Sequence, residues 1–232
     1  MNHSPMASKE KIAQNTKSLS IRLLFVAGIF LLALAVFAFI ADEMVLENEN
    51  YLDQVVFAHL KELTNPFMTK LMVAVTFFGS SYFLFPAYIL LILYFLFLKK
   101  NKQLSWNIAA VGITSTVILF SLKAIFHRHR PLDPLVQNVN GFSFPSGHSF
   151  SSFTFFGLLI YILWHYPMSA ALRWTLTIFF FFFACAIAFS RVYLHVHYAS
   201  DVIAGFCLCL VWLGLSFWLL EKLGRTAFKK TN

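Results

Sequence analysis

Residues 190–201, SRVYLHVHYASD, set an arginine, two histidines and an aspartate between two long apolar runs. Groups of this kind are costly at the edge of a bilayer, so a chain that keeps them there usually uses them. His197 and Asp201 are four residues apart, one turn along if a helix starts here. An aspartate at that offset can accept the proton on one imidazole nitrogen. That fixes the tautomer and leaves the other nitrogen free to attack. An interfacial His/Asp pair that only caps a helix would look the same in this segment alone.

Two further stretches carry chemistry of their own. The first runs from Lys123 through His127, Arg128, His129 and Arg130 to Pro131. Arginine offers a planar fork of donors that fits phosphate oxygens, and lysine adds a mobile point charge. The second is Pro145-Ser146-Gly147-His148, where proline and glycine shape a tight turn into a helix. Free backbone N–H groups and the helix dipole favour an anion there. One histidine with an aspartate behind it, a second without one, and three cations suit phosphoryl transfer. That reaction needs an aligned nucleophile, an acid for the leaving oxygen, and positive charge around the equatorial oxygens.

The elements that must position these groups cross a membrane. The chain is 59% hydrophobic and only 12% charged, against about 25% charged in soluble domains. Six apolar spans are expected at 21–41, 82–98, 106–126, 146–165, 171–190 and 199–220. A cleaved signal peptide is the alternative for the first, but the run is long for one, although Ala33-Leu34-Ala35 offers a weak cleavage site. Residues 1–20 and 223–232 read as polar or basic cytoplasmic tails, the first disordered. Residues 42–81 read as an extracytoplasmic interfacial region. Within it Leu52, Val55, Val56, Leu60 and Leu63 recur at helical spacing, Asn65-Pro66 opens a second segment to about Phe78, and Gly79-Ser80-Ser81 breaks or bends the chain.

With six spans, the side holding both termini carries 12 of the 18 Lys and Arg but two of the ten acids. That matches the positive-inside rule and makes both termini cytoplasmic. A seventh span at 67–78 would lose the match. Lys123, Arg128, Arg130 and Arg191 cluster on the other side, against the trend, and an anionic ligand is the obvious reason. The fold class is therefore all-α: a polytopic integral membrane protein with six transmembrane helices and an amphipathic interfacial segment between the first and second. A duplex-binding protein would not bury most of its length in apolar runs, so the basic balance does not indicate a nucleic-acid partner. Cys185, Cys207 and Cys209 lie inside apolar runs with no zinc or CxxC spacing.

The three polar stretches resemble the signature of the type 2 phosphatidic acid phosphatases, the lipid phosphate phosphatases. That signature is Lys, six residues, Arg-Pro; then Pro-Ser-Gly-His; then Ser-Arg, five residues, His, three residues, Asp. Lys123, Arg130-Pro131, Pro145 to His148, Ser190-Arg191, His197 and Asp201 fill every fixed position in order. The resemblance implies that His197 is the nucleophile and forms a phosphohistidine oriented by Asp201. It implies that His148 protonates the leaving lipid alkoxide and then activates water. Lys123, Arg130 and Arg191 would bind the phosphoryl oxygens, helped by Ser146 and the backbone at Gly147.

No cofactor and no metal is implied, since the cations already supply the charge that a metal would bring. The remaining neighbours read blandly. His195 is expected to pack or to sit at the interface, and Arg128 to be a solvated rim residue. Asp133 is expected in a turn.

A site at the headgroup level of a bilayer argues for a lipid phosphate substrate. Within the resembled family the candidates are phosphatidylglycerol phosphate, which is favoured, undecaprenyl diphosphate and phosphatidic acid. Two rivals remain: a catalytically silent lipid-phosphate binding or transport protein, and a haloperoxidase-like use of the same pocket. The oligomeric state is not readable from the sequence.

Overall fold

The structure, a computed structural model, describes residues 23–46, 51–137 and 139–223. The expected tails at 1–20 and 223–232 lie outside the described residues, except for Leu223. All regular structure among the described residues is helical. Helix α1 (Leu23–Val45) ends in a widened turn at Ile40–Leu46. It is followed by α2 (Tyr51–Leu63), α3 (Pro66–Phe77) and α4 (Ser81–Leu93), which a wide-turn extension continues to Leu98. The remaining helices are α5 (Lys102–Phe126), α6 (Gly147–His165), α7 (Ala170–Tyr193) and α8 (Ala199–Lys222).

Six helical segments are long and apolar enough to cross a membrane. The spans expected from the sequence fall on them within a few residues, except the second. There α3 and α4 form one 33-residue apolar segment, about 50 Å if straight and well beyond a hydrocarbon core of about 30 Å. It is not straight. The N–H of Asn65, which caps α3, donates to the hydroxyl of Tyr193 at the end of α7 (3.2 Å), while Gly79 lies against Ile187. Those two points are about 20 Å apart along α3 but only about 9 Å apart along α7. So α3 slants steeply across the end of α7, and residues 81–98 then run about 27 Å as the crossing length.

Helix α6 is the centre of the bundle. Half of its most apolar window is buried, and Phe150, Phe153, Phe155 and Phe156 pack with Ile187 and Ala188 of α7 and Leu213 of α8. Peripheral helices leave large apolar side chains exposed, such as Leu24 (73%) and Phe85 (69%), as a lipid-facing surface requires. Trp106, Trp164, Trp174 and Trp218 sit near the ends of α5, α6, α7 and α8 that share a face with Lys99, Arg173 and Lys222. This is the composition of a membrane–water boundary. The opposite ends of the same four helices carry the polar stretches.

Candidate active site

Four helix ends meet there: the last turn of α5, the first of α6, the last of α7 and the first of α8. Their approach depends on Gly205. A Cβ on it would lie 3.1 Å from the Ser146 carbonyl oxygen and 3.2 Å from the Phe150 nitrogen, so α8 can cross the start of α6 at backbone contact. The Ser146 N–H donates to the Asp201 carbonyl (3.1 Å), tying the first turns of α6 and α8 together. Above them the loop from His127 to Ser146 folds back, and Phe144 wedges between Phe126 (ring centroids 5.0 Å) and Phe37 (5.6 Å).

His197 is outside a helix, one residue before the Tyr198 cap of α8, in a tight reversal where His195 takes a positive φ of 53°. Its side chain is almost fully buried. Nδ1 lies 3.4 Å from Asp201 Oδ2 and 3.3 Å from Ser143 Oγ, and Nε2 lies 3.3 Å from Arg130 Nη1. A guanidinium has only donors, so Nε2 must accept, and the ring proton belongs on Nδ1 facing Asp201. Burial pushes the imidazole pKa down to about 3, outweighing the Asp201 hydrogen bond and charge, which pull it up. The ring is therefore neutral near pH 7, with its Nε2 lone pair directed towards Arg130.

Asp201 is itself held on every side. Oδ2 accepts from Ser143 Oγ and from the Tyr198 N–H (2.9 Å), and Oδ1 accepts from Arg128 Nη1 (2.7 Å).

Backbone carbonyls aim two of the three cations, and a threonine hydroxyl aims the third. Lys123 Nζ donates to the carbonyls of Phe142 (2.7 Å) and Ser143 (3.3 Å). Arg130 donates to the carbonyls of Val196 (2.7 Å), Gly141 (2.9 Å) and Asn140 (3.2 Å). Arg191 donates from Nη1 to Thr76 Oγ1 on α3 (2.8 Å), while its buried Nε has no hydrogen-bond partner among the described residues. Burial pushes the Arg130 pKa down and Asp201 pulls it up.

Lys123, Arg130, Arg191, Gly147, His148 and His197 all line one cavity of about 650 Å³. Its polar end is this cluster. Its long limb runs between α4 and α5 past Leu84, Phe85, Ile89, Ile113, Val117 and Phe120. His148 stands on the first turn of α6, with the α3–α4 turn at its back. A Cβ on Gly79 would come within 3.2 Å of His148 Cδ2, 2.8 Å of Ser152 Oγ and 2.5 Å of Ile187 Cγ2. Ser146 does not line the cavity. It is fully buried, and its hydroxyl accepts from the Ser149 hydroxyl (2.9 Å) and N–H (3.5 Å), capping α6.

One sequence expectation is overturned. Arg128 is not a solvated rim residue but only 7% exposed, with its guanidinium 4.1 Å above the Tyr198 ring. Its fork spans two carboxylates, Nη1 on Asp201 and Nη2 on Asp53 Oδ2 (2.9 Å). It faces the protein's own anions rather than the cavity. Asp53, Ser143 and Ser200 are the neighbours that sequence reasoning missed. Asp53 accepts from the Ser200 N–H (2.9 Å) and hydroxyl (2.6 Å), so a carboxylate on α2 caps the first turn of α8. The only signal for it was an acid in the first turn of an amphipathic helix whose other acid, Glu62, lies in its last turn. His195 packs against Phe57 (ring centroids 4.8 Å), as expected of a packing residue.

Among the described residues no three His, Cys, Asp or Glu side chains group as metal ligands.

The model of the PAP2 superfamily matches residues 102–225, which include all three polar stretches. Phosphatidylglycerophosphatase B of Bacillus subtilis is 31% identical over 70% of this chain and 80% of its own length. An Escherichia coli K12 protein provisionally named an undecaprenyl-diphosphatase is 30% identical over 54% and 66%. The crystal structure of a transmembrane PAP2-type phosphatidylglycerolphosphate phosphatase from Bacillus subtilis superposes with a TM-score of 0.73 at 28% identity, covering 89% of this chain and 98% of that one. LpxE from Aquifex aeolicus shares the fold, with a TM-score of 0.53 at 24% identity over 71% and 94%. Motifs, helices and relatives agree, and the chain belongs to the PAP2 superfamily as a multi-pass membrane phosphatase.

Proposed function

We propose that this chain hydrolyses a lipid phosphate at the extracytoplasmic surface, without a metal, through a phosphohistidine on His197. One observation carries the reading: two imidazoles and three cations share the polar end of a cavity whose other limb is apolar. Among substrates, phosphatidylglycerol phosphate is favoured, in keeping with the B. subtilis relative. Undecaprenyl diphosphate follows, in keeping with the E. coli one. The flanks of the apolar limb are exposed, Phe85 at 69%, Ile113 at 65% and Phe120 at 65%, which supports a substrate whose tail stays in lipid. The positive-inside pattern supports the extracytoplasmic side and cytoplasmic termini.

In the first step the Nε2 lone pair of His197 attacks phosphorus as the bond from phosphorus to the lipid oxygen breaks. His148, protonated as the phosphate's negative charge enters among the cations, gives its proton to that oxygen. The substrate's non-bridging oxygens draw Arg130 away from Nε2 and satisfy Arg191 Nε, along with Lys123 and the N–H groups at the start of α6. The imidazole gains positive character at Nδ1–H, which Asp201 stabilises. In the second step neutral His148 takes a proton from water, the oxygen bonds to phosphorus, the P–N bond breaks, and inorganic phosphate leaves. His197 is restored.

The test is phosphate release from purified lipid phosphates and diphosphates in detergent, with His197→Ala and His148→Ala alongside. The reading requires loss of turnover in the first and near loss in the second. A silent binding protein would bind these lipids and release no phosphate.

A further inference from the structure

We infer that Asp53, on α2 and outside the residues matched to the family, is a positioning residue for phosphoryl transfer. It acts through Arg128 and the first turn of α8 on the Asp201–His197 pair, and the inference rests on the phosphohistidine reading above. Buried charges alternate along Asp53, Arg128 and Asp201, and the neutral imidazole ends the row. Ser200 closes the chain on one side. Its hydroxyl accepts from Arg128 (2.8 Å) and donates to Asp53 (2.6 Å), and its N–H also donates to Asp53. All of Asp53, Arg128, Ser200 and Asp201 are under a tenth exposed. Among the described contacts, none of the three phosphate-facing cations hydrogen-bonds to Asp53, Arg128, Ser200 or Asp201; only Arg130 touches the end of the row, at His197 Nε2. Their hydrogen bonds run to loop carbonyls, Thr76 and His197.

This separation defines what Asp53 contributes. With its carboxylate in place, Arg128 divides its charge between two anions. With it neutralised, more of the guanidinium charge falls on Asp201, which becomes a poorer acceptor for Nδ1–H just as the ring gains positive character. The penalty appears in the transition state, when His197 bonds to phosphorus, and not in the ground-state grip on phosphate.

Asp53→Asn tests this: its remaining oxygen can keep the Ser200 N–H, while the charge is lost and the oxygen that accepts from Arg128 and the Ser200 hydroxyl becomes an NH2. The readouts are kcat, KM, and the inhibition constants of orthovanadate, which mimics five-coordinate phosphorus, and of inorganic phosphate. KM and inhibition constants do not depend on how much protein is folded, so they separate positioning from mere loss of structure. The expected result is a kcat lower by about tenfold to a hundredfold and vanadate weakened by about tenfold, with KM and phosphate inhibition within about twofold. Arg128→Lys, which keeps a charge but cannot fork across two carboxylates, should show the same signature and carries the test if Asp53→Asn does not fold. Unchanged vanadate inhibition in the variants overturns the role of Asp53, whatever happens to yield. His197→Ala in the same assay separates the two claims: full turnover there sinks the phosphohistidine reading and this inference with it.

Discussion

Gly79→Ala is a single-methyl perturbation whose consequence can be worked from the packing behind His148. The new Cβ would lie 2.5 Å from Ile187 Cγ2 and 2.8 Å from Ser152 Oγ, where an ordinary contact is about 3.5 to 4 Å. The serine hydroxyl can rotate. Ile187 cannot yield in the same way: it is fully buried, and its Cγ2 hangs on a β-branch with one strongly preferred rotamer in a helix. The α3–α4 turn must therefore back away by about 1 Å, with an overpacking cost of about 1 to 3 kcal/mol. The same Cβ would lie 3.2 Å from His148 Cδ2, and three residues earlier the chain carries the Thr76 hydroxyl that holds Arg191. A displacement of about 1 Å at a reacting group costs about a hundredfold in rate. Gly79→Ala should thus lower kcat/KM by about tenfold to a hundredfold while the protein remains folded in detergent. The assay is phosphate release under subsaturating lipid phosphate, paired with a thermal midpoint on the same preparation. Wild-type kcat/KM in a folded variant would show that the turn gives way freely and does not fix His148.

Four other outcomes follow from the geometry. Activity should persist in excess EDTA; strict dependence on Mg²⁺ would contradict a site charged by Lys123, Arg130 and Arg191 alone. Ser143→Ala removes a hydrogen bond to the buried Asp201 carboxylate and should slow turnover by about tenfold, with KM little changed; an increase in KM alone would refute its placement behind the nucleophile. His197 has its folded pKa near 3, below the unfolded value of about 6.5, so the unfolded chain binds the extra proton between those limits. Stability should therefore be fully present above about pH 6.5 and decline as pH falls towards 3, with a slope of up to about 1.4 kcal/mol per pH unit that His197→Asn lacks. Phe120→Trp, at the lipid-facing flank of the apolar limb, should raise KM for long-tailed lipid phosphates and leave short-chain phosphates unaffected; an equal effect on both would move the tail elsewhere.

The sequence exposed the reacting groups because their chemistry is incompatible with their surroundings. Histidines and cations at the mouths of apolar spans stand out, and Lys123, Arg130, His148, Arg191 and His197 do share one cavity. What it hid was contact at long range. Asp53 lies 75 residues from Arg128 and 147 from Ser200, and its own helix reads as one apolar face against a polar remainder. That pattern puts an acid on the solvent side. Arg128 reads as a rim residue for the matching reason: its nearest charged neighbours in the chain are other bases, and the anions that bury it come from α2 and α8. The six crossings were legible as apolar length. The slant of α3 was not, because Asn65, Gly79 and their partners on α7 set it by packing rather than by hydropathy.

The most direct test is to trap the covalent enzyme. A lipid substrate carrying ³²P in the scissile phosphate, mixed with purified protein and quenched within milliseconds in alkali, should leave label on His197, at Nε2 and labile to acid as a P–N bond is. Label on another residue, or steady turnover with no labelled protein at any quench time, would contradict the account.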